Sequence, residues 1–289
     1  SRPSALALEG ASQDLVGKLP ALLLEARRVA MTVAQGTHGR RRAGPGETFW
    51  QYRNFEAGDS SALIDWRRSA GSSHLFVRER EWEAAHTVWI WIDLSPSMHF
   101  RSRLSQTSKA ERAIVLALAL ATLLSEAGER VGIPNLMEPK ARHNTATVIM
   151  ETLARSLSSF EGLPNCKNRL SRHSEMVIFS DFLEPEPTLA TVFNKFAVQG
   201  IRGHLMQILD PAEESLPYEG RVEFIDAESG ARYVAERAET LRAEYRQKLA
   251  AHKAAIALNA AKVAWTPFLH HTDHPAVEAL LPLHMHLSG

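Results

Sequence analysis

Asp93-Leu-Ser-Pro-Ser97 places one carboxylate and two hydroxyls at alternate positions along five residues. The stretch follows an apolar run, His86-Thr-Val-Trp-Ile-Trp-Ile92, and precedes a long helical pattern. In an open α/β sheet, ligands sit in the crevice beyond the carboxyl ends of the strands. Hard oxygen donors aimed at one point there suit Mg²⁺, Mn²⁺ or Ca²⁺ rather than Zn²⁺. The expected cofactor is therefore a divalent cation, Mg²⁺ first, with Mn²⁺ or Ca²⁺ as alternatives.

A second apolar run, Glu175-Met-Val-Ile-Phe-Ser180, also ends in an acid, Asp181. If both strands are central and parallel, Asp93 and Asp181 reach the same edge of the sheet. Between them lies His143-Asn-Thr-Ala-Thr147, where Thr145 or Thr147 could present a hydroxyl to that edge. The expected ligand set is Asp93, Ser95, Ser97, Thr145 and Asp181, with water or a partner's carboxylate completing the shell. Asp and Ser after a strand also serve as ordinary turn and N-cap residues. Placement on a strand end, with a second strand-terminal Asp, favours the cation site.

The elements that must carry these residues follow from periodicity. Leu22, Leu23, Ala26, Val29 and Ala30 recur at helical spacing within 12–34, a helix open to division at Pro20. A Gly-rich loop over 35–46 follows, then strands over 47–55 and 74–82 around a turn and short helix at 57–66. From residue 86 the rhythm becomes strand and helix in alternation. Strands are expected at 86–93, 131–135, 140–142, 175–181 and 204–210, with an antiparallel pair at 221–225 and 231–234. Helices are expected at 107–127, 147–157, 186–198, 235–258 and 275–286. This predicts an α/β protein with an open, doubly wound, mainly parallel sheet. The expected division is residues 1–85, an N-terminal helix plus a small β subdomain, and residues 86–289, the α/β domain.

Composition bounds the function. Lys plus Arg (33) equals Asp plus Glu (33) in 289 residues, so no global field favours nucleic acid or an anionic membrane. Cys166 is the single cysteine, which excludes an intrachain disulfide and fits a reducing, cytoplasmic setting. The longest apolar stretch, 114–124, falls short of the roughly 20 residues a membrane span needs. The N-terminus lacks a signal-peptide pattern.

Other constellations carry less. His270, His271 and His274, with His284 and His286, lack the motif and spacing of a zinc site. Arg40-Arg-Arg42 reads as a solvated loop, and the Asp59, Asp65, Arg53, Arg67, Arg68 group as turn residues and salt bridges joining the small subdomain to the sheet. Neither a nucleophile elbow nor a phosphate-binding loop is present.

Asp93-Leu-Ser-Pro-Ser97 resembles the metal-ion-dependent adhesion motif of von Willebrand factor A domains, and Asp181 resembles that family's third-loop Asp. Phe182 follows it where many such domains have Gly. The upstream block resembles the signature of the bacterial "domain of unknown function 58" family. It runs through Phe49-Trp-Gln-Tyr-Arg-Asn-Phe-Glu-Ala-Gly-Asp59, Ile64-Asp-Trp66 and Leu75-Phe-Val-Arg-Glu79. The resemblance implies a von Willebrand factor A-like, Rossmann-type domain. It implies a non-enzymatic interaction module, an adaptor between a MoxR-type AAA+ ATPase and a client protein. The rival readings are a cation-dependent hydrolase, with His99 or His143 as base, and an A-like module that has lost its cation.

Overall fold

Strands β3 (Thr87–Ile92) and β6 (Glu175–Ser180) are buried at all six positions each, so both of their faces are covered. That pattern belongs to the centre of a parallel sheet packed by helices on both sides. The computed structural model describes residues 5–38, 50–55, 64–71, 74–80, 85–166 and 168–288. Arg40–Arg42 and Asp59 lie outside the described residues.

The chain divides into two compact units, residues 37–85 and residues 1–36 with 86–289. In the smaller unit, β1 (Trp50–Asn54) pairs antiparallel with β2 (Phe76–Arg80). A four-residue helix, α2 (Trp66–Ser69), lies between them in sequence. The buried Ser69 hydroxyl fixes the return, donating to the Asp65 carbonyl and accepting from the Phe76 amide.

The larger unit holds a six-stranded sheet in the order β10-β7-β6-β3-β4-β5. Its further strands are β4 (Arg130–Ile133), β5 (Met137–Lys140), β7 (Arg202–Leu209) and β10 (Thr266–His271). All neighbours run parallel except β5 against β4. The mainly parallel sheet predicted from the strand–helix alternation is present. Strand β10 was not predicted: its burial is partial and it contains Pro267, both consistent with an edge position.

The helices fall into two groups. Helix α3 (Lys109–Glu126) packs with α4 (Thr145–Ser156) and α8 (Ala276–Leu287), whereas α5 (Glu186–Ala197) packs with α7 (Ala238–Lys262). Helix α3 starts at a full capping box, Ser108 with Glu111. It is buried over most of its length, as its nearly unbroken Ala/Leu/Ile/Val composition requires.

The N-terminal helix α1 (Ala5–His38) runs unbroken through Pro20. Leu15, Leu19, Leu22, Ala26, Val29 and Val33 form one buried stripe in the main core. That burial outweighs the roughly 3 kcal/mol by which an interior proline disfavours a helix. Lys18 bonds Glu111 of α3 at 2.9 Å, and Arg27 reaches Thr147 of α4 at 3.4 Å. Helix α1 therefore belongs with the α/β unit, not with the β subdomain where the sequence division put it.

Candidate functional site at the switch point of the sheet

Strand β3 leads through α3 to β4 on one side, and its neighbour β6 leads through α5 to β7 on the other. Adjacent strands whose connections diverge leave a crevice between their carboxyl ends, where such sheets bind ligands. Asp93 directly follows β3, Asp181 follows β6 and Asp210 follows β7. The first two flank the switch point, as their placement in the sequence suggested.

Asp93 is 1% exposed and held from all sides. Its Oδ1 accepts from the Ser95 amide at 2.8 Å and the Gly162 amide at 3.0 Å. Its Oδ2 accepts from the Ser180 hydroxyl at 2.7 Å. Gly162 has φ +71, a conformation open to glycine, and this lets its amide turn toward the carboxylate. Burial raises the Asp93 pKa above the usual carboxylate value, against the lowering effect of these bonds. The Ser95 and Ser97 hydroxyls are hydrogen-bonded to each other at 3.3 Å.

Asp181 has a different partner from the one the sequence suggested. Its Oδ2 accepts from the Lys109 ammonium at 2.8 Å, and its Oδ1 from the Leu183 amide at 3.2 Å. Lys109 is fully buried and also bonds Glu213 at 2.5 Å. Burial pulls its pKa down, but Asp181 and Glu213 outweigh that and hold it raised, so the ammonium stays charged. Glu213 is itself pushed up by burial, against the pull of Lys109.

The residue after Asp181 has an unusual backbone. Phe182 has φ +54, in the left-handed region that favours glycine. Its ring is fully buried against Phe193, with centroids 6.4 Å apart, so packing holds a backbone that glycine would adopt freely.

Thr145 is not brought to this edge. Its buried hydroxyl donates to the Arg142 carbonyl at 2.6 Å. It lines a separate cavity with Val131, Met137 and Lys140. Thr147, the other second-loop candidate, accepts from Arg27 at the α1 contact. What reaches Asp93 instead is the segment after α4: the Phe160 carbonyl accepts from the Leu94 amide at 2.8 Å, and Gly162 bonds as above.

Beyond the two serines opens a crevice of about 1270 Å³, lined by Ser95, Ser97, Asp181, Glu184, Glu213 and Tyr245 among others. Among the described residues, none that lines it is Lys, Arg or His. Glu184 records the resulting negative field. Burial first, then the charges of Asp93, Asp181 and Glu228, push its pKa up to about 7. Its Oε2 is buried with no hydrogen-bond partner among the described residues.

Among the described residues, no three His, Cys, Asp or Glu side chains are grouped to hold a metal ion. A site built on hydroxyls is judged by its oxygens. Two ligands at a right angle lie about 3.0 Å apart around Mg²⁺ and about 3.4 Å apart around Ca²⁺. The 3.3 Å between Ser95 and Ser97 falls in that range. These two hydroxyls, the Asp93 charge beneath them and the underused Glu184 carboxylate fit a hard cation. Asp181, paired with Lys109, and Thr145, turned to Arg142, do not.

Sequence reasoning missed Lys109, Ser180, Gly162 and Glu213. Lys109 carried a legible signal. It follows the N-cap Ser108, where the helix dipole favours acids, so a lysine there implied a nearby anion. Glu213 lies in the capping box opened by Asp210, a signature readable in Asp210-Pro-Ala-Glu213.

Fold and site together define an open α/β protein with a polar, acid-lined crevice at its switch point. The chain belongs to the family described as "Protein of unknown function DUF58", whose model matches residues 51–255. Uncharacterized proteins of Mycobacterium bovis and Mycobacterium tuberculosis are 27% identical to it over 273 residues, covering 88% of this chain and 84% of each relative. Among solved structures, BatB from Bacteroides thetaiotaomicron matches at 19% identity and TM-score 0.34, covering 62% of this chain and 99% of that one. An aerotolerance-related membrane protein from Bacteroides fragilis matches at 16% and 0.37, covering 70% and 100%. Among the described residues, no helix is long and apolar enough to cross a membrane.

Proposed function

We propose that the chain is a von Willebrand factor A-like interaction module, not an enzyme, that grips a carboxylate of another protein through a divalent cation at Ser95 and Ser97. The observation that carries this is the pair of hydroxyls 3.3 Å apart above a buried carboxylate at the switch point. A bound cation supplies the charge that lets a partner's acid enter an acid-lined crevice. The family resemblance suggests a cytoplasmic MoxR-type AAA+ ATPase as partner, with a client protein beyond it. Neither His99 nor His143, the bases considered for the hydrolase alternative, lines the crevice.

Calorimetric titration of Mg²⁺ and Mn²⁺ into the wild type and Asp93→Asn tests the site. Asn keeps the shape, accepts from the Ser95 and Gly162 amides through its oxygen and donates to Ser180 Oγ through its nitrogen, but removes the charge. Binding in the wild type that weakens about tenfold or more in the variant is expected. Equal heats in both overturn the cation site. Capture of the ATPase that disappears with chelator is the matching result for the partner.

One observation favours a second reading. Lys109 already holds Asp181 in an ion pair, which withdraws that carboxylate from a metal and favours an A-like module that has lost its cation and works by surface contact. Partner capture unaffected by chelator or by Asp93→Asn would select that reading.

A further inference from the structure

Ser97 is held from an unexpected quarter. Its backbone amide donates to Glu228 Oε1 at 3.0 Å, across 131 residues of sequence. Glu228 lies in the turn between β8 (Val222–Ile225) and β9 (Arg232–Ala235), an antiparallel hairpin that pairs only with itself. The turn is built to present it. The Asp226 carboxylate accepts the Glu228 amide at 3.0 Å, and the Asp226 carbonyl accepts the Gly230 amide at 2.8 Å.

Such a hairpin is marginally stable alone and depends on what it touches. Phe224 packs edge-on against Tyr218, with centroids 5.8 Å apart. Ile225, Tyr233 and Val234 remain exposed. Glu228, Phe224 and Asp226 line the crevice with Ser95 and Ser97. The hairpin thus brings a carboxylate to the serine pair, into a crevice already crowded with acids. Glu184 feels that crowding, since the Glu228 charge helps raise its pKa. A cation at the serines would turn this repulsion into attraction.

We propose that Glu228 is an internal carboxylate ligand for the cation held by Ser95 and Ser97, so that the β8–β9 hairpin competes with a partner's carboxylate for the same place. This rests on the cation-dependent contact proposed above. Bound cation tightens the hold that Glu228 already has on Ser97; a partner that supplies its own acid displaces Glu228 and opens the hairpin. The exposed Ile225, Tyr233 and Val234 move with it.

The test uses the full chain, with Mn²⁺ as probe, in wild type, Glu228→Ala, Glu228→Gln and the neighbouring-acid control Glu223→Gln. Amide hydrogen exchange is followed at Ser97 and over 222–235, beside Mn²⁺ affinity. In the wild type and the control, Mn²⁺ should slow this exchange about tenfold, the scale of one charge-assisted bond. In both Glu228 variants the slowing should vanish and Mn²⁺ should bind about tenfold more weakly. Wild type that binds Mn²⁺ with Glu228→Ala indistinguishable from it overturns the internal ligand alone. Wild type that binds no Mn²⁺ overturns the underlying cation reading and the internal ligand with it.

Discussion

Replacing Lys109 with Met tests the electrostatic frame under the crevice. The ammonium is fully buried, 2.8 Å from Asp181 and 2.5 Å from Glu213. Met fills much of the same volume but leaves two carboxylates facing each other, Asp181 buried and Glu213 partly exposed to the crevice. Removing one partner of a buried ion pair costs about 3–5 kcal/mol, chiefly through the uncompensated charge left behind. For a unit of this size that lowers Tm by roughly 6–20 °C.

The loss should depend on pH with a definite sign. Burial already holds the Glu213 pKa above its usual value, and without Lys109 it rises further. A carboxyl with a raised folded pKa keeps its contribution below the unfolded value and loses it as pH climbs through the folded one. The Lys109→Met deficit is therefore full at pH 8 and smaller at pH 5, because lower pH favours the protonated form of Glu213, whose pKa stands raised. The triple variant Lys109→Met, Asp181→Asn, Glu213→Gln should recover most of the loss, because no charge is left unpaired. Urea unfolding at the two pH values measures all of this. A Lys109→Met loss under about 1 kcal/mol at pH 8, or one equal at both pH values, would refute the reasoning.

Two further outcomes follow from packing and titration. A Cβ at Gly203 would meet the Trp265 ring at 1.9–2.2 Å, and that ring is buried and anchored through Nε1 to the Ile201 carbonyl. Gly203→Ala should destabilise the protein by about 3 kcal/mol and shift Trp265 fluorescence; a change under about 0.5 kcal/mol would show that the ring moves freely. Glu184 and His270 set opposite pH limits. Glu184, raised from 4.5 to about 7, withdraws stability as pH rises across that window, so Glu184→Gln should be more stable than wild type at pH 8 and not at pH 4. His270, lowered by burial from 6.5 to about 3, withdraws stability as pH falls from 6.5 toward 3, so His270→Gln should flatten that acid limb of the denaturation curve. Parallel curves for variant and wild type would exclude either group as the source.

Much of the α/β unit is legible in local pattern. The runs at 87–92 and 175–180 are apolar and branched enough to read as strands, and the Ser108–Glu111 box with its Ala/Leu continuation reads as a helix. Strand β10 escaped because an edge strand with a proline and half-exposed residues has no clean two-residue period. Helix α1 was legible as a helix but not as part of the α/β unit. An apolar stripe shows that something covers it and not which surface does.

The site divides in the same way. The sequence alone established that Asp93, Ser95 and Ser97 follow one buried strand and Asp181 another, because strand, turn and alternation are local properties. Only the tertiary structure decided what each carboxylate faces. It brought Ser180 and Gly162 to Asp93, gave Asp181 to Lys109 from another helix, turned Thr145 away to Arg142, and carried Glu228 to Ser97. Those pairings depend on strand order and on loops that meet across tens of residues. A one-dimensional pattern holds the chemistry of each group; the charge and hydrogen bonds around it are fixed only when the sheet closes its switch point.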